Sequence, residues 1–136
     1  MKLKELVGIK KLDAVDFSTE SIKNWGDDYE DCCVCRFRLD GIVYVAVEDP
    51  DDGYRSSMKD LAIDDSAKMK NVFPQIDVRC EYRGKSNEYD GADVLELVDI
   101  KTEGIVLEVG TENTDDYYPW FTAKFHPKTI CLNSAS

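Results

Sequence analysis

Histidine is nearly missing from this sequence. Its one occurrence, His126, excludes a histidine-rich zinc centre and makes any histidine-dependent triad rely on that single side chain. Set between Phe125 and Pro127 and in no diagnostic motif, it reads as a structural or surface residue. No paired CxxC motif occurs, since Cys32-Cys33-Val34-Cys35 is a single cluster, and this disfavours the usual zinc-ribbon reading. Glycines such as Gly41, Gly53, Gly84, Gly91, Gly104 and Gly110 are scattered among turns, and no GxGxxG or GxxxxGK phosphate loop occurs.

Apolar runs are short. None approaches the roughly 20 residues that span a bilayer as a helix, and Met1-Lys2-Leu3-Lys4-Glu5-Leu6-Val7-Gly8 is broken by charge where a secretion signal would be apolar. Positive charge is also in deficit: seventeen Lys plus Arg against twenty-eight Asp plus Glu give a formal charge of −11. Such a field repels phosphate backbones and anionic headgroups and attracts basic surfaces or cations. Direct non-specific nucleic-acid binding and membrane association are therefore not expected, whereas a basic protein surface is an expected partner.

Five cysteines, at 32, 33, 35, 80 and 131, make an odd set, and Cys33, Cys35 and Cys80 fall in β-like runs. They read as small reduced hydrophobes of a cytoplasmic protein rather than as a disulfide framework.

What the chain does contain is enough apolar material for one domain over residues 1–136: 43% hydrophobic and 10% aromatic residues. A domain of this size should remove about two-thirds of its unfolded surface from water. Residues 33–47, CVCRFRLDGIVYVAV, predict a hairpin, because Asp40 and Gly41 tolerate the positive φ of a type I′ turn. Leu39 should then face Ile42, Phe37 face Tyr44 and Cys35 face Ala46, leaving Arg36 and Arg38 on the other side.

Alternation over Ile76–Tyr82 predicts a strand with one wet face. Residues 94–109 predict a second hairpin turning at Lys101–Gly104, with apolar residues on both faces, and Trp120–Phe125 predicts a last strand bracketed by Pro119 and Pro127. Short helices are expected from Phe17 to Gly26, capped by Ser18, and after Ser57. The expected fold is mainly β, a compact antiparallel β-sandwich or partly open barrel with one or two short helices.

Acidic residues recur in the connections: Asp27, Asp28, Glu30 and Asp31; Glu48, Asp49, Asp51 and Asp52; Glu88, Asp90 and Asp93; Glu112, Asp115 and Asp116. In EDPDDGYRSS, Pro50 stops a strand and Gly53 permits a reversal, so the segment is at the least a solvated turn. As a binding patch it offers Asp49, Asp51 and Asp52 for steering, Tyr54 as a rigid contact and Arg55 as a directional fork. A second patch comprises Asp115, Asp116, Tyr117, Tyr118 and Trp120.

The function expected from these patches is that of a small acidic protein that recruits a basic partner without bond chemistry, in one version as an inhibitor of a nucleic-acid-binding protein. The alternative is calcium or magnesium binding by converged acidic loops. A standard EF-hand is excluded, because Pro50 would occupy its third position and Lys59 its twelfth. Paired carboxylates suited to glycoside hydrolysis are too numerous here to single out a pair.

Overall fold

The computed structural model describes residues 1–52, 57–65, 69–84, 92–112 and 119–127. After a single 3-10 turn at Leu3–Leu6, these residues form eight strands: β1 Gly8–Lys23, β2 Tyr29–Leu39, β3 Ile42–Glu48, β4 Met58–Ile63, β5 Val72–Gly84, β6 Asp93–Asp99, β7 Ile105–Glu112 and β8 Trp120–Phe125. All neighbours are antiparallel, in the order β4-β3-β2-β1-β5-β6-β7-β8.

In a flat sheet, seven strand spacings of about 4.8 Å would separate the edges by roughly 34 Å. Here β4 and β8 instead come into contact, so the sheet curls on itself. One core fills the curl, with Leu12 and Val15 of β1, Phe37 of β2, Leu61 of β4, Leu95 and Leu97 of β6 and Leu107 of β7 all fully buried. Leu3 and Leu6 of the 3-10 turn join the same core.

The long strand β1 makes the curl. Its first part, Gly8–Leu12, pairs with β5, and from Leu12 to Lys23 it pairs with β2. The exchange occurs at an irregularity between Leu12 and Ala14, the kind of bulge that bends a strand and sharpens its twist. Beyond Ala14 no β5 residue pairs with β1, and before Val34 no β3 residue pairs with β2. The pairs from Thr19–Cys33 to Lys23–Tyr29 therefore form a two-stranded ribbon that runs on past its neighbours.

The sequence register of the first hairpin holds. Leu39–Ile42, Phe37–Tyr44 and Cys35–Ala46 are cross-strand partners, and Asp40 and Gly41 have φ of 51° and 82°. The strands expected at Ile76–Tyr82 and Trp120–Phe125 and the turn at Lys101–Gly104 also form. Buried residues on both alternation classes of β6 match the doubly covered arm.

Both expected helices are corrected. Phe17–Lys23 continues β1, and Met58–Ile63 is the edge strand β4. The Ser, Thr and Gly residues that resemble helix caps were outweighed by ladder pairing with β2 and β3, tertiary bonds that a local pattern does not contain.

Candidate functional site

The ribbon ends in a turn organised by Asn24. Its Oδ1 accepts the amides of Gly26 at 2.9 Å and Asp28 at 3.0 Å, while its own amide donates to the Asp28 carbonyl. Asp27 takes a left-handed φ of 65°, a conformation that Asp tolerates better than most residues. The chain thus reverses without needing core contacts, and Trp25 stands out with 94% of its surface exposed. Tyr29, first residue of β2, is 65% exposed beside it.

The segment at Asp49–Asp52 packs back onto this tip. Asp51 Oδ1 accepts the Trp25 amide at 2.6 Å, and Glu48 Oε1 accepts the Cys33 amide at 3.0 Å. The turn is stabilised by Asp49 Oδ1, which accepts the Asp51 amide, and by buried Pro50. Two acidic groups separated by some twenty residues are thereby brought to one end of the molecule. Segments 23–33 and 48–52 carry Asp27, Asp28, Glu30, Asp31, Glu48, Asp49, Asp51 and Asp52, with Lys23 as their one cation. Lys23 pairs with Asp27 at 3.1 Å. Among the described residues no Lys or Arg pairs with Asp28, Glu30, Asp31, Glu48, Asp49 or Asp51.

Between this end and β8 lies a cavity of about 470 Å³ lined by Phe17, Ser18 and Thr19 of β1, Cys33 and Val34 of β2, Glu48 of β3, and Phe121 and Ala123 of β8. Its volume falls within the roughly 300–1,000 Å³ typical of ligand pockets. Burial first, then the Glu48 carboxylate, raises the Cys33 thiol above its ordinary pKa, so the pocket wall there is neutral. Burial also raises Cys32, with Glu48, Glu30 and Asp49 adding to the shift, a sign of the negative potential at this end. Burial raises Cys35 further still and pushes Cys80 up to about 12. These four are free thiols that stay protonated at neutral pH, which suits packing better than nucleophilic attack.

On the strand faces elsewhere, several carboxylates share cations. Arg36 lies between Glu20 and Asp64, and Arg38 holds Asp13 with two bonds of 2.7 and 3.1 Å. On β5–β8, register places Glu81, Glu96, Glu108 and Lys124 in one row across four strands. Like charges directly opposite repel. Arg83 relieves them, meeting Glu112 at 3.0 Å and Glu96 at 3.5 Å, while Arg79 pairs with Glu81 and Glu103. His126 Nε2 lies 3.0 Å from Glu108, so the histidine joins this surface network.

Of the sequence-predicted site residues, Asp49, Asp51 and Asp52 lie in the turn after β3, and Trp120 opens β8 with 42% exposure. Met58, the first residue of β4, donates its amide to Thr111 Oγ1 at 2.8 Å, and Thr111 pairs with Phe121, next in sequence to Trp120. Tyr54, Arg55, Asp115, Asp116, Tyr117 and Tyr118 lie outside the described residues. Sequence reasoning missed Trp25 and Tyr29 because it placed Trp25 at the end of a helix. The Asn24–Asp28 turn chemistry was the available signal.

No protein-family model, curated protein or solved structure matches the chain. Among the described residues no group of three His, Cys, Asp or Glu side chains is placed to hold a metal ion, and no helix is long and apolar enough to cross a membrane.

Proposed function

We propose that this protein recruits a basic protein surface through the acidic end formed by the β1–β2 ribbon and the Asp49–Asp52 turn, and that it does so without bond chemistry. The observation that carries the reading is the Trp25 amide to Asp51 bond, which joins two acidic segments around an almost fully exposed tryptophan. Carboxylates left without cations keep their long-range field, which speeds encounter with a positive surface and orients it. Trp25 and Tyr29 then supply rigid contact area at small entropic cost. In the narrower version the partner is a nucleic-acid-binding protein whose phosphate site these carboxylates occupy.

Affinity capture at low and high salt tests the reading, with hexalysine peptide as a defined basic probe. Binding should weaken steeply with salt and should fall when Asp28, Glu30 and Asp31 become Asn, Gln and Asn. Neutralising Glu81 and Glu103, which Arg79 already pairs, should change it much less. Equal losses from the two sets would show that overall charge alone is responsible.

The second reading is calcium or magnesium held by the acidic loops, which would have to draw their carboxylates together around the ion, since no three of them among the described residues are so placed. A cation selective for the folded state would raise the melting temperature saturably.

A further inference from the structure

The cavity beneath the acidic end has a composition of its own. Its lining sets apolar Phe17, Phe121 and Ala123 beside Ser18, Thr19 and Cys33, and Glu48 is its one charged lining residue among those described. Glu48 is aimed by the Cys33 amide, which uses one of the roughly four hydrogen-bond positions of a carboxylate. No Lys or Arg among the described residues pairs with it, although Arg36, Arg38, Arg79 and Arg83 are all taken by other acids.

We infer that this pocket is the anchoring site for an arginine side chain of the basic partner. The inference rests on the recruitment reading above and names its specific contact. An arginine has the matching build: a methylene stem that loses water against Phe17, Phe121 and Ala123, and a planar guanidinium that stacks on an aromatic face while donating to a carboxylate. Lysine concentrates its charge in a compact, strongly hydrated ammonium that makes no bidentate fork, so it fits these walls less well. A neutral apolar group would leave Glu48 desolvated without compensation, and an acidic one would meet the uncompensated field of Glu30, Glu48 and Asp49. The acids of the ribbon attract, and the pocket selects.

The test is NMR titration of the full chain with blocked Gly-Arg-Gly and with blocked Gly-citrulline-Gly, its uncharged near-isostere. The arginine peptide should give saturable shifts centred on the amides of Phe17, Cys33 and Ala123, and the citrulline peptide should bind about tenfold more weakly. Glu48→Gln keeps an acceptor for the Cys33 amide and should abolish that difference. Ala123→Leu, which fills the cavity from β8, should reduce binding of both peptides at an unchanged fold, checked by the amide spectrum. Equal affinity for the two peptides, shifts located away from the pocket, or arginine binding unaffected in either folded variant would overturn the assignment. Hexalysine keeps the two levels distinct. Salt-dependent hexalysine binding through Asp28, Glu30 and Asp31, together with no arginine preference at the pocket, refutes the pocket and leaves recruitment standing. Loss of both refutes both.

Discussion

The outer face of β5–β8 and the end of the β1–β2 ribbon are both rich in carboxylates, and they treat them in opposite ways. On the sheet face, Glu81, Glu96 and Glu108 are forced into one row by register, and Arg79, Arg83, Lys124 and His126 are set among the acids there. At the ribbon, Lys23 pairs with Asp27, and no Lys or Arg among the described residues pairs with Asp28, Glu30, Asp31, Glu48, Asp49 or Asp51. Charge on the first surface is used up in holding strands together. Most carboxylates of the second have no such cation among the described residues, and the proposed function rests on that difference, which net charge alone does not reveal.

The largest expected effect belongs to the sheet side. Gly110 pairs with Val94 and Thr122 at φ +146°, and an added Cβ would sit 2.1 Å from the Asp93 carbonyl oxygen and 2.9 Å from Leu3. Gly110→Ala should therefore cost about 3 kcal/mol, because backbone must move and the conformation is strained for any L side chain. Urea denaturation reads it directly, and a loss comparable to an ordinary surface change would refute the close packing described.

Arg36→Met comes next. It leaves Glu20 and Asp64 facing each other without their shared cation. Removing one partner of a fully buried pair costs roughly 3–5 kcal/mol. Glu20 keeps 36% of its side chain exposed, so solvent relieves part of that loss and about 2 kcal/mol is expected. The same denaturation measurement applies.

Smaller still is the acid dependence of this pair. The Arg36 hydrogen bond, followed by that of Ser18, holds the Glu20 carboxyl below its ordinary value. A lowered folded-state pKa means that the unfolded chain takes up the proton first. The contribution is therefore complete above the ordinary Glu value of about 4.3 and is lost as pH falls from there through the lowered value. Glu20→Gln should flatten this part of the stability curve below about pH 5; an unchanged slope would mean that the bridge contributes little in solution.

The smallest effect on stability should come from the ribbon. Converting Asp27, Asp28 and Asp31 to Asn and Glu30 to Gln should shift stability by no more than about 0.5 kcal/mol, since these side chains are exposed and only Asp27 has a cation. Trp25→Ser should do even less to the melting temperature, given its 94% exposure. If these changes instead unfold the chain, the contrast between the two surfaces collapses.

Much of the sheet was legible because its signals were local. Asp40-Gly41 dictated its own turn, and strict alternation on either side determined which residues face the core. The Leu12–Ala14 irregularity hid β1, since one extra residue breaks the period on which strand recognition depends. For the site, Asp49, Asp51 and Asp52 could be named from the sequence, but not their junction with Trp25. Nor could the pocket be anticipated, because Phe17, Cys33, Glu48 and Phe121 come from four different strands.

Composition and short-range pattern by themselves determined that this chain is acidic, mainly β and built from hairpins, because turn chemistry and two-residue periodicity act between near neighbours. Which carboxylates lie beside a cation and which do not was decided by tertiary structure alone. Ion pairing falls off over a few ångströms, and only the curled sheet sets those distances between residues far apart in the chain.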